Sequence, residues 1–384
     1  MGQFGLKDPV FLSDWRVVRP QYESTQPQGF EWLAKAHAVA AARQQPGLDK
    51  QAFERRMRQA LERFGCSDGQ IARRGHELRD FLHDDWPSME VFDVVAGHEQ
   101  ANLGRRMAFF AERCDEVLAR LYPEHMDSNR VPDLMVHVTC TGYASPSPVQ
   151  RLVTLRGWHN TTQATQAYHM GCYAAVPALR LAAAHLGAGL CRQVDLVHNE
   201  LCTLHFDPSA HEPEQLVVQS LFADGHIAYS ASTSFGSLRL LALGEELIPD
   251  SANMMTWALG AGGFRMTLAR QVPAAIAKSI GDFVARLFQS AGIDPSSDKS
   301  RAIAAIHPGG PRIIDTLGQI LGFDESALLA ARGVLRDCGN MSSATLPHIL
   351  ARVAADPDVR PGTPILGLAF GPGLTMAGLV AVRS

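Results

Sequence analysis

No two cysteines in the sequence are spaced as CxxC, and the seven present, at 66, 114, 140, 172, 191, 202 and 338, are an odd number. This excludes a zinc ribbon and a paired disulfide framework, and it suits a reducing cytoplasm. An excess of one charge is also lacking. The 35 Lys and Arg against 39 Asp and Glu leave a net charge of −4, without the basic surplus of a general nucleic-acid binder. There is no GxxxxGK phosphate loop, and the glycine clusters at 260–263 and 371–373 lack nucleotide-binding spacing. His76, Glu77 and His83 fail the HExxH spacing, so no metal is expected. The N-terminus meets Lys7 and Asp8 before any apolar stretch develops, which is not a signal peptide. One long uncharged run, 365–382, approaches membrane-spanning length. Its Gly-Pro-Gly centre reads better as two buried strands joined by a tight turn, so no membrane segment is expected.

What is present is core material. Of 384 residues 46% are hydrophobic and 19% charged, enough for a large ordered protein. Residues 1–28 are Gln- and Pro-rich without a clear period and read as an irregular arm. Helical spacing follows in Phe53, Met57, Leu61 and again in Leu103, Met107, Phe110, Cys114. DLMVHVTCT (133–141) alternates like a strand, and VDLVHNELCTL (194–204) is a second strand candidate. CYAAVPALRLAAAHLG, from Cys172, predicts a helix of small residues packed on all sides. LVVQSLFADGHIAYSAS reads as strand, glycine turn, strand. A helix is expected over about 274–291, and the last segment is the strand pair around Gly-Pro-Gly. Alternating strands and helices argue for α/β layers.

Three residues stand out as chemistry. Cys172 lies in HMGCYAAV at the expected helix start, where free N–H groups and the helix dipole favour a thiolate; the alternative is a small core residue. His307 lies in AIHPGGPRII, at the end of an apolar run where loops present reactive groups, though a turn histidine bonded to its own backbone has the same look. Asn340, in CGNMSSA, is either an N-cap or an amide donor to a developing oxyanion. Cys202 and His205, three apart, would face opposite sides of a strand and make a poor dyad.

These motifs together resemble the chalcone synthase family, the type III polyketide synthases. GCYAAVPALRLA around Cys172, AIHPGGPRIID around His307, GNMSSA around Asn340 and FGPGLT at 370–375 carry the likeness, with LFADG at 221–225 as a weaker match. The resemblance runs from about residue 50 to the C-terminus. It implies a thiolase fold of five layers, αβαβα, in two pseudo-repeated halves. These are assigned to 29–240, carrying the cysteine, and 241–384, carrying the histidine and asparagine. It implies acyl transfer from a starter thioester to Cys172, then decarboxylation of malonyl-CoA to an enolate stabilised by His307 and Asn340. Condensation and cyclisation to a pyrone or resorcinol-type ring follow. No metal or redox cofactor is implied. His307 as a cation would stabilise the Cys172 thiolate before acylation. Phe222 matches a gate between tunnel and cavity and Met266 the second gating position. Thr141, Cys202, His205, Trp257 and Ser342 match cavity positions. A cytoplasmic homodimer with a complete site in each subunit is also implied.

The sequence departs from the plant pattern in its basic stretch, which reads ERFGCSDGQIARRGHE. Arg63, Arg73 and Arg74 remain as candidate contacts to CoA phosphates or a carrier, but Asp68 falls where a basic residue is expected. Trp257 replaces a usual glycine and His205 a usual threonine. These departures leave two alternatives. One is a stand-alone ketosynthase making a single condensation with chains on an acyl carrier protein. The other is a non-catalytic acyl-binding subunit, which the intact Cys, His and Asn set argues against. VTCTGYASPSP and MTWALGAGGFRMTL resemble bacterial members more than plant ones.

Overall fold

The computed structural model describes residues 3–97, 102–127, 130–294 and 301–384. The first half of the chain runs β1 (Gly5–Val18), β2 (Tyr22–Thr25), α1 (Gln26–Gln44), α2 (Lys50–Phe64), β3 (Arg73–His76), α3 (Leu103–Leu121), β4 (Leu134–Thr139), α4 (Pro148–Leu155), β5 (Gln163–Tyr168), α5 (Ala175–Gly187), β6 (Gln193–Leu201), α6 (Pro213–Leu221) and β7 (Asp224–Ser232). The second runs β8 (Leu238–Leu247), β9 (Met255–Leu259), β10 (Phe264–Leu268), α7 (Val272–Ala291), β11 (Ile303–Ile306), α8 (Pro311–Leu321), α9 (Glu325–Cys338), α10 (Thr345–Ala355), β12 (Pro364–Gly371) and β13 (Thr375–Arg383).

Nine strands share one sheet in the order β11-β12-β13-β8-β1-β7-β6-β4-β5. Reading inward from each side, the same sequence of pairings recurs. On one side β4 and β6 are parallel, then β6, β7 and β1 are antiparallel. On the other β11 and β12 are parallel, then β12, β13 and β8 are antiparallel. The two halves meet where β1 pairs with β8. Helix α5 touches β1, β4, β6 and β7 of one half and β8 and β13 of the other, while α10 touches β7, β11 and β12. These two helices form the middle layer. Helix α3 packs on β1 and β7, α7 on β8 and β13, and α9 on β11. The layering is that of a thiolase fold.

Small side chains explain α5. Ala175, Val176, Pro177, Ala178 and Leu179 are all buried, so the first turns pack on every side. The last turns are amphipathic, with Arg180 exposed. Other helices begin where the sequence supplies caps: Thr25 and Gln28 form a capping box on α1, and Asp49 accepts from Ala52 N on α2.

Two expectations are corrected. Residues 1–28 are not an arm: β1 lies between β7 and β8 in the sheet. Its period of two is broken by irregular pairing between Ser13 and Arg16, with Asp14 at φ 52, which hides the strand from a pattern search. The segment LVVQSL is not a strand but helix α6. Its β-branched residues suggest a strand, but Pro213 starts a helix in which Gln215 and Gln219 share one face. The expected boundary at 240 falls inside β8. The 365–382 run forms β12 and β13, paired from Pro364↔Val382 to Gly371↔Thr375. No helix among the described residues is long and apolar enough to cross a membrane.

Candidate active site

The turn from β5 into α5 presents Cys172. Gly171 has φ 82, and a Cβ there would come 2.6 Å from Pro372 Cδ, so this position requires glycine on both counts. The contact also locks the cysteine turn onto the Gly-Pro-Gly turn between β12 and β13. Helix α5 starts at Ala175, not at Cys172, and its N-cap Ala174 makes no side-chain bond. Cys172 is 6% exposed, and burial pushes its thiol pKa up to about 12. The Ser342 hydroxyl, 3.6 Å from Sγ, and the Asn340 amide pull it down, while Glu200 raises it. The expected lowering by a helix terminus is thus reversed, and the resting group is a thiol.

His307 follows the last residue of β11. Its N–H donates to Leu368 O at 2.7 Å, extending the pairing with β12 toward Pro372 at the pocket wall. The ring is buried and neither nitrogen has a hydrogen-bond partner. Burial pushes its pKa down to about 3, so the imidazole is neutral. The expected imidazolium is not the resting state.

Asn340 follows α9 through Gly339. Its backbone is strapped to the end of α6: its N–H donates to Leu221 O at 3.0 Å, and Ala223 N–H donates to its carbonyl at 2.9 Å. Its Oδ1 accepts from Ser342 N at 2.8 Å and from Thr345 Oγ1 at 3.5 Å. That fixes the amide, leaving Nδ2 buried without an acceptor.

Thr141, Cys202, His205, Phe222, Trp257, Met266 and Ser342 all line one pocket with Cys172. The structure therefore gathers every sequence-selected cavity residue around the thiol. Cys202 and His205 sit on a 3-10 turn after β6, not on a strand, so both reach the pocket. Trp257 is held by its indole N–H, which donates to Cys140 O at 2.6 Å.

The three arginines lie elsewhere. Arg74 is buried, donating to Gln26 Oε1 at 2.8 Å, Gln219 O at 2.7 Å and Phe222 O at 2.9 Å. It braces α6 from within and cannot meet a phosphate. Arg73 is exposed and pairs with Glu23 at 3.2 Å. Arg63 is exposed in the last turn of α2.

Sequence reasoning missed Cys140 and Glu200. Cys140 Sγ lies 2.8 Å from Ser342 Oγ. Glu200 is buried on β6 and accepts from Cys140 N, Thr141 Oγ1 and Ser343 N and Oγ. Among the described residues no cluster of His, Cys, Asp and Glu could hold a metal, and all seven cysteines are free thiols.

One half presents a buried thiol on a strand–turn–helix link and the other half carries a buried imidazole and amide, all within a thiolase fold. Residues 129–233 match the model of the chalcone and stilbene synthases' N-terminal domain, and 239–384 that of their C-terminal domain. Together these take in well over half of the sequence, and the chain belongs to the chalcone and stilbene synthase family. It is 31% identical over 244 residues to 1,3,6,8-tetrahydroxynaphthalene synthase of Streptomyces coelicolor, covering 63% of this chain and 64% of that enzyme. It is 29% identical over 255 residues to a Dictyostelium discoideum protein named "Probable polyketide synthase 1", covering 64% of this chain but 8% of that protein. The chain thus spans less than two thirds of each relative's length. Among solved structures, the C-terminal type III polyketide synthase domain of a Dictyostelium type I/III hybrid superposes with a TM-score of 0.82 at 23% identity, covering 98% of this chain and 99% of that one. The Streptomyces synthase superposes at 0.79 and 22% identity, covering 97% and 99%. At these identities the superpositions speak for the fold.

Proposed function

We propose that the chain is a type III polyketide synthase acting on acyl and malonyl thioesters. The observation that carries this reading is the pair of unused polar groups, Asn340 Nδ2 and the His307 ring, each buried without a hydrogen-bond partner. An unsatisfied buried donor costs about 1–3 kcal/mol, a cost that makes sense if a ligand oxygen completes it. The neutral His307 ring takes the Cys172 proton as sulfur attacks the starter thioester, and returns it to the leaving thiolate. A malonyl thioester then loses carbon dioxide, and its enolate oxygen accepts hydrogen bonds from His307 and Asn340. The enolate carbon attacks the acyl carbonyl and Cys172 leaves as thiolate, giving a β-keto thioester. Repetition and cyclisation to a pyrone or resorcinol-type ring complete the reading. No redox or metal chemistry enters these steps. A homodimer with a whole site in each subunit and a cytoplasmic setting belong to the same proposal.

A second reading is a single condensation with chains on an acyl carrier protein. It is favoured by the inward-facing Arg74, which removes one expected contact to CoA phosphates. Intact-protein mass spectrometry with a panel of acyl-CoAs and acyl carrier proteins tests both, with Cys172→Ala as control. An adduct from CoA donors, absent in the control and elongated by several malonyl units, supports the first reading. An adduct from carriers alone, with one carbon–carbon bond per turnover, supports the second. No adduct from any donor overturns both.

A further inference from the structure

One wall of the pocket is the hairpin of β9 and β10, which among the described residues pairs only with itself and joins no other sheet. Two backbone bonds fix its ends, Gly373 N–H to Met255 O at 3.3 Å at the base and Leu103 N–H to Ala261 O at 3.1 Å at the turn; between them its hold on the rest of the protein is through side chains. Trp257 N–H reaches Cys140 O, His169 Nε2 lies 3.0 Å from Trp257 O, and Gln215 Nε2 donates to Met266 O at 2.8 Å. One of these ties differs in kind. Phe264 N–H, the first amide of β10, donates to His205 Nδ1 at 3.1 Å, and His205 Nε2 meets Thr141 O at 2.7 Å. The His205 ring also stacks on Phe264, with centroids 4.1 Å apart and planes within 7°.

These partners leave the ring no choice of form. An amide can only donate and a carbonyl can only accept, so Nδ1 carries a lone pair and Nε2 a proton. A second proton on Nδ1 would point at the Phe264 N–H. We propose that His205 is a positioning residue that latches the β9–β10 hairpin over the pocket while its ring is neutral and releases it when the ring is protonated.

The groups facing the ring favour the neutral form. From α3, Arg106 donates to the carbonyls of Leu204 and Phe206 on either side of His205. From the cysteine turn comes the imidazole of His169. The charges at the hairpin's outer edge, Arg265 paired with Glu212 and Glu214 bonded to Leu268 N, lie at the surface. Burial and Arg106 hold the His205 pKa down to about 3, while a ring released to solvent titrates at about 6.5. The sign follows. The latch is at full strength above the released value, and the closed-to-open ratio falls about tenfold for each pH unit below it.

The latch is independent of any condensation chemistry, so its test needs no substrate. Hydrogen exchange of the Phe264 amide, corrected for intrinsic exchange and compared with Val197 in the interior strand β6, reads it directly. In the wild type, Phe264 protection is expected to be flat above pH 7 and to fall about tenfold per unit from pH 6 toward pH 4, with Val197 unaffected. His205→Gln offers an acceptor and a donor without a titrating ring and should keep measurable protection with no pH slope. His205→Phe keeps the stacking but loses both bonds and should be weakly protected at every pH. Cys172 alkylation by iodoacetamide, corrected for thiolate fraction, should rise with each loss of protection. A Phe264 profile that tracks Val197, or a wild-type pH slope in either variant, overturns the proposal.

Discussion

Replacing Arg74 separates two accounts of one residue. As a phosphate contact it would affect substrate affinity; as a buried brace it should affect stability. Burial holds its guanidinium pKa down to about 10, so the fold tolerates the charge less well than water does, by about 3 kcal/mol. Against this stand three hydrogen bonds from a charged donor, at about 1.5–3 kcal/mol each. Arg74→Ala removes all three and leaves two backbone carbonyls and the Gln26 oxygen buried. The net loss is about 3 kcal/mol once the desolvation cost is returned. With an unfolding entropy of about 2 cal/mol/K per residue, that lowers Tm by about 4 °C. Arg73→Ala, which breaks a half-exposed pair with Glu23, should cost at most about 1 kcal/mol. Thermal unfolding by circular dichroism measures both. Equal melting temperatures, with KM for a CoA thioester raised in Arg74→Ala alone, would refute the buried-brace account.

Cys172 alkylation in the free protein should still be climbing at pH 10, because its thiol is pushed up to about 12. A rate that is flat above pH 7 would mean a resting thiolate–imidazolium pair instead. Asn340→Ala should load acyl groups at Cys172 yet decarboxylate malonyl thioesters roughly a hundredfold more slowly or worse, the usual loss for one oxyanion donor; normal carbon dioxide release would remove Asn340 from that role. Trp257→Ala, which removes the indole fixed to Cys140 O, should lengthen the product by at least one malonyl unit in product mass spectra. An unchanged product would mean the indole does not bound the chain.

The cysteine, histidine and asparagine were legible because each sits in a short motif whose neighbours are fixed by backbone needs. Gly171 must fit beneath Pro372, and both residues lie in quoted motifs. Of the cavity residues only Phe222 and Ser342 lie in the motifs that carry the likeness; the others follow from the family resemblance alone. Electrostatics were not: an expected helix start at Cys172 suggests a lowered thiol pKa, but the sign depends on how deeply the sulfur is buried, which only the packed layers decide. Arg74 failed similarly, since one residue separates an exposed Arg73 from a buried Arg74 on a strand, and sequence alone does not choose the face. Strand β1 was lost to its own irregularity, and α6 to β-branched residues whose helical setting is imposed by tertiary packing.

The seating of β1 bears on how the molecule assembles. Phe11 pairs with Ser232 and Leu12 with Leu238, so this strand has no neighbour until more than two hundred further residues have been made. Until then both edges of β1 are open. Closure of that seam is a long-range event of the kind that slows folding, and it is what turns two half-sheets into one. Any extension or truncation ahead of Val18 therefore acts on the centre of the molecule rather than its margin.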